Sequence, residues 1–120
     1  MRLLTIKQVQ KAAETSDIAA LKCSLRHWRE IKALGWDELN KKVKEDRYGY
    51  DNEMCACCQR FYGCISCPLA GDQWFSTDYS CCQGLYGEFL ETCDEGKRAF
   101  SRAAQNIINL IQSKIDEISF

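Results

Sequence analysis

The chain has 120 residues, 46% of them apolar and 28% charged, and a formal charge of -1. That length supports one core, so a multi-domain enzyme and a dinucleotide-binding fold are excluded, and the balance of residue types is that of a folded domain rather than a disordered one. No run approaches the ~20 consecutive apolar residues that a membrane span needs.

The first elements read as helices. Thr5 and Gln8 have the spacing of a capping box, and Ile6, Val9 and Ala13 follow on one helical face. Ser16 or Asp17 caps a second helix, in which Ile18, Leu21, Leu25 and Trp28 recur at steps of three and four, with Leu34 near its end. Gly35 is a stop signal. A short helix is then predicted from Trp36 to Val43, with Leu39 on the same side. Residues 44–54 are polar and turn-rich and read as a connection.

Cysteine dominates the middle of the chain. Nine occur in all, and Cys55, Cys57, Cys58, Cys64, Cys67, Cys81 and Cys82 fall together. Cys-x-x-Cys occurs twice, at Cys55–Cys58 and Cys64–Cys67. A two-residue gap lets both thiolates turn back onto one ion, which is metal-ligand spacing. The expected site is therefore Cys55, Cys58, Cys64 and Cys67 around one Zn2+, closed and structural, with Cys57, Cys81 and Cys82 as alternates. A [4Fe-4S] cluster is the rival, because Pro68 follows Cys67 as in the end of a ferredoxin run. A single Cys-x-x-Cys would also fit a redox pair, though two in tandem favour metal.

Helical period returns after the cysteines. Leu85, Tyr86, Phe89 and Leu90 lead into Cys93, and a long helix is predicted from Lys97 to Ile118 on the spacing of Phe100, Ala104, Ile107, Ile111 and Ile115. The expected fold is thus mainly α: one domain over residues 1–120, with N-terminal helices over 1–45, forming a hairpin. A zinc-knuckle-like, metal-bound Cys-rich insertion over 52–83 and C-terminal helices over 84–120 complete it. The expected core is Leu21, Leu25, Trp28, Leu34, Leu39, Leu85, Phe89, Phe100, Ile107, Ile111 and Ile115.

Charge is distributed unevenly. Residues 1–50 hold eleven Lys/Arg against seven Asp/Glu, residues 51–96 hold one against eight, and residues 97–120 hold four against two. Lys22, Arg26, Arg29 and Lys32 line up opposite the Leu21/Leu25/Trp28 face, a stripe that would suit nucleic acid. Trp74, Phe75 and Tyr79 sit among loop-forming and acidic residues, as interface anchors do, which makes protein binding the leading expectation. Catalysis is not expected. The one histidine, His27, has no ligand-like spacing to the cysteines, and no phosphate loop or activated nucleophile is signalled.

The run from Cys55 to Leu69, with Tyr62 before the second Cys-x-x-Cys, Cys82 and Tyr86 after it, and Trp28 upstream, resembles a group of small Cys-rich proteins, many of them encoded by bacteriophages and without an established activity. Cys57 and Cys81 are additions to that pattern. The resemblance implies a viral protein acting in the cytoplasm of a host cell, as an inhibitor or modulator that engages a host or phage protein. Nucleic acid is the alternative partner, no membrane is involved, and the oligomeric state is left open.

Overall fold

The computed structural model describes residues 3–46, 48, 55–61, 69 and 85–118. Five α-helices and a 3-10 turn make up these residues: α1 (Ile6–Thr15), α2 (Asp17–Asp46), α3 (Ala56–Phe61), α4 (Leu85–Leu90), the turn Glu91–Asp94, and α5 (Lys97–Ile118). The chain is mainly α, as expected.

Local chemistry sets the first boundaries. The Gln8 N–H donates to Thr5 Oγ1 at 3.3 Å and the Thr5 N–H donates to Gln8 Oε1 at 2.9 Å, so the capping box is complete. Ser16 separates α1 from α2, and its Oγ accepts the Ala19 N–H at 3.1 Å, which satisfies one orphan donor of α2. The carbonyls at the end of α1 find a partner further along the chain. Arg60 of α3 donates from Nη1 to the Ala13 carbonyl at 2.8 Å and pairs through Nε with Asp17 in the first turn of α2. One guanidinium therefore fastens α3 onto the α1–α2 corner.

α2 is bent at Gly35, which has φ 78 and ψ 170. That backbone region is open to glycine and strained for other residues. The bend brings Trp36 onto the aromatic core, 5.8 Å from Phe100 and 6.2 Å from Phe89 between ring centroids. A Cβ added at Gly35 would meet nothing within 4 Å, so a substitution there acts through the backbone alone. Gly35→Ala is expected to destabilise the fold by about 1–3 kcal/mol. A chemical denaturation curve checks this, and an unchanged midpoint would mean that the bend adapts without strain.

α2 and α5 pack antiparallel. Trp36 meets Phe100 near one end of the pair, and further back along α2 the Lys32 Nζ donates to Gln105 Oε1 at 2.6 Å. α1 and α3 pack against α2 and against each other, while α4 packs against α5. The apolar face of α5 (Phe100, Ala103, Ala104, Ile107, Ile108, Ile111 and Ile115) is buried in this assembly. Of the expected core, all are buried except Leu34 and Leu85, which are partly buried and pack against it. Val9, Ala20, Ile31, Ala56, Cys57 and Leu69 join it.

Two expectations are corrected. Residues 56–61 of the stretch read as an irregular knob form a helix, since Ala56 and Cys57 are buried against the α1–α2 pair. Tyr48, read as part of a polar connection, is buried because its hydroxyl has a partner in the core.

Candidate functional site

Two features of the described residues carry chemistry: a thiol cluster where α3 meets α2, and a basic surface on α2 and α5.

The thiol cluster holds Cys23, Cys55, Cys57 and Cys58, none of them in a disulfide. Cys55 stands immediately before α3, and its Sγ accepts the Cys58 N–H at 3.3 Å. Cys57 follows two positions later in α3. It is buried, and its Sγ accepts the Ser24 hydroxyl at 3.4 Å. Cys23, one helical position before Ser24, is half-buried, and burial pushes its thiol up to about 11. Cys55 is shifted in the opposite sense. A hydrogen bond with the Cys58 thiol brings it down to about 7, against the effect of burial and with help from the Cys58 and Cys57 N–H groups and the Ser24 hydroxyl.

The zinc expectation is overturned here, and with it the iron–sulfur alternative. Among the described residues no three His, Cys, Asp or Glu side chains come together in a way that could hold a metal ion. The local reason is that these sulfurs are already engaged by protein donors. Cys57 is buried with its sulfur on the Ser24 hydroxyl, and Cys55 and Cys58 are engaged with one another. Cys64, Cys67, Cys81 and Cys82 lie outside the described residues, as do Trp74, Phe75 and Tyr79.

The basic residues are where the periodicity places them. Lys22, Arg26, Arg29 and Lys32 are exposed along α2. Arg26 is tied down by Glu30, with Nε 3.1 Å from Oε2, and Lys32 reaches across to Gln105 of α5. That crossing shows what the α2 stripe borders. On α5, Arg98, Arg102, Gln105 and Asn109 follow steps of four, three and four, which is one helical face. Arg98, Arg102 and Asn109 are exposed, and Gln105 donates to Asn109 Oδ1 at 2.8 Å. Lys97, in the first turn of α5, is exposed as well.

His27 is not a surface residue. It is buried with Tyr48 edge-on to it at 5.3 Å and Trp28 at 6.0 Å between ring centroids. Next to it lies a buried carboxylate that sequence reasoning misses. Glu30 Oε1 accepts the Leu4 N–H at 3.0 Å and the Tyr48 hydroxyl at 2.9 Å. Ser24 is missed too, although it falls between Leu21 and Trp28 on the apolar face, where a hydroxyl needs a partner.

A cleft of about 580 Å³ opens where the bend of α2 meets the start of α5, lined by Lys32, Trp36, Asp37, Glu38, Lys97 and Phe100 among others. Its two lysines face two carboxylates of the second part of α2, so it has no dominant charge.

No helix among the described residues is long and apolar enough to cross a membrane. No family model, no curated protein and no solved structure matches the chain. The expectation of a viral, host-directed role had only the motif likeness behind it, and it is withdrawn together with the metal.

Proposed function

We propose that the chain is a non-catalytic protein that binds the phosphate backbone of a nucleic acid on the face formed by α2 and α5. One observation carries this reading. Residues 18–36 and 97–115, two stretches packed antiparallel, contain eight of the sixteen Lys/Arg of the chain and one of its seventeen Asp/Glu. The one acid within them is Glu30, which is buried and engaged by Arg26, Leu4 and Tyr48. Asp17, Asp37, Asp116 and Glu117 flank the two stretches, and Glu117 pairs with Lys114. The near-neutral total therefore conceals a local excess of positive charge, and it is the local field that a polyanion meets.

The arrangement suits a phosphate track. From Lys22 to Lys32 the helix rises about 15 Å. Duplex nucleic acid presents one charge per ~1.7 Å of axis, so several phosphates lie within that span. Asn106 and Asn109, exposed on α5, add neutral donors beside the cations. Cations that neutralise phosphates release counterions, so affinity should fall linearly with salt on logarithmic axes.

Fluorescence anisotropy with labelled duplex DNA and duplex RNA, read at several salt concentrations, tests the proposal. The wild-type chain should bind with a clear salt slope. The triple variant Arg29→Glu, Arg98→Glu, Arg102→Glu should bind at least about tenfold more weakly, with a slope reduced by roughly one for each phosphate no longer neutralised. All three residues are exposed, so the helical circular dichroism should be unchanged. Absence of binding at low salt, or equal affinity of the variant, would overturn the reading. Equal affinity of the wild type for polyglutamate of matched length would reassign the surface to an acidic protein partner.

A further inference from the structure

The basic face leaves the thiol cluster without a role. Four cysteines meet there, and their surroundings divide them into two kinds. Cys57 is fully buried with its sulfur held by Ser24 of α2, so it is shut away from any incoming reagent. Cys23, on α2, is partly exposed as Cys55 and Cys58 are, but burial pushes its thiol up and so disfavours the attacking form. Cys55 and Cys58 are partly exposed, lie one helical turn apart and are bonded to each other through the Cys58 N–H and the Cys55 sulfur. Burying the middle cysteine leaves Cys55 and Cys58 as the partly exposed Cys-x-x-Cys pair.

We propose that Cys55 and Cys58 form a thiol–disulfide exchange site, with Cys55 as the attacking sulfur, Cys58 as the resolving sulfur and a small-molecule disulfide as the oxidant. The donors around Cys55 favour its thiolate, the form that attacks. In the first step the Cys55 thiolate attacks one sulfur of the incoming disulfide. The S–S bond of that molecule breaks, one half leaves as a thiolate, and a mixed disulfide forms on Cys55. In the second step Cys58 gives its proton to solvent, and its sulfur attacks Cys55. The second half leaves as a thiolate, and a Cys55–Cys58 disulfide results. Two electrons pass from the protein to the oxidant, and the two released thiolates take up protons according to the pH. Cys57 cannot compete for the mixed disulfide without leaving its buried contact with Ser24.

The site is independent of the nucleic-acid reading, and its test uses the full-length reduced chain. Glutathione disulfide serves as the probe, the reaction is quenched with acid and alkylated, and disulfides are located by peptide fragmentation. The wild type should yield Cys55–Cys58 as its first intramolecular disulfide. Cys58→Ser should accumulate glutathione on Cys55, at least tenfold above any other cysteine. Cys55→Ser should leave Cys58 at the background level at the same time point. A first intramolecular disulfide in wild type other than Cys55–Cys58, or glutathione spread evenly over the cysteines of Cys58→Ser, would overturn the proposal. The wild-type map needs no substitution, so a variant that folds poorly does not shelter the idea.

Discussion

Phe89→Ala is expected to destabilise the fold by about 3–5 kcal/mol, the range for removing a fully buried aromatic ring. Phe89 is fully buried at the centre of an aromatic group. Its ring centroid lies 4.8 Å from Trp28 in an edge-on contact and 5.2 Å from Phe100. Trp36 is also edge-on at 6.2 Å, and Tyr86 is stacked at 6.5 Å. These rings come from α2, from the second part of α2 beyond its bend, from α4 and from α5. Removing the ring therefore loosens every element that meets there, and α4, six residues long, has no other large side chain buried to this degree. Thermal unfolding should show a midpoint lower by more than about 10 °C. The near-ultraviolet circular dichroism of Trp28 and Trp36 should collapse before the helical signal does. Phe89→Leu should lose much less, because it keeps most of the volume. A loss for Phe89→Ala below about 1 kcal/mol would mean that α4 is not anchored through this ring.

The same aromatic group marks how far sequence alone reaches. The period of α5 sets its limits at Lys97 and Ile118 directly, because a 22-residue amphipathic helix repeats its signal many times. Gly35 is legible as a stop, and the structure gives it a positive φ. Leu34 is less buried than its spacing predicts because it sits against that bend. Val43 is 39% exposed although it shares a face with Leu39, since the last turns of α2 run past the core. Buried polar residues are illegible for another reason. A Glu or His on a helix reads as surface unless its partners are known, and the partners of Glu30 lie 26 and 18 residues away.

The candidate sites divide in the same way. The Cys55–Cys58 spacing is visible in the sequence, but spacing is not convergence. That Cys57 is buried with its sulfur on Ser24, 33 residues earlier, is not legible in the spacing. The stripe on α2 is likewise visible, and so is the acid-free run from Lys97 to Ile115. That they form one surface depends on the antiparallel packing and on the Lys32–Gln105 contact.

Glu30→Leu should be comparably damaging, at about 3–5 kcal/mol, for an electrostatic reason. The carboxylate is 6% exposed and collects three donors: the Leu4 N–H, the Tyr48 hydroxyl and Arg26. Leucine fills the space but accepts nothing, so a backbone N–H and a phenol are left buried without a partner, at about 1–3 kcal/mol each. Arg26 contributes little to the loss, because its side chain is 45% exposed and solvent can take over. Glu30→Gln keeps one acceptor oxygen and should lose less. Tyr48→Phe, which removes one donor and leaves the carboxylate with two, should cost about 1 kcal/mol at neutral pH. The pH dependence of that last variant tests whether the folded chain keeps the phenol un-ionised. Burial, then the charge of Glu30 and the hydrogen bond to it, hold the Tyr48 phenol far above its usual range. Above about pH 10 the unfolded chain ionises this tyrosine while the folded chain does not, so the native state binds more protons and stability falls as pH rises. Tyr48→Phe has no such group to lose. Its deficit relative to wild type should shrink with each step in pH above about 10, as read from urea midpoints at several alkaline pH values. A deficit that stays constant across that range would mean that the folded chain does not hold the Tyr48 phenol above its usual range.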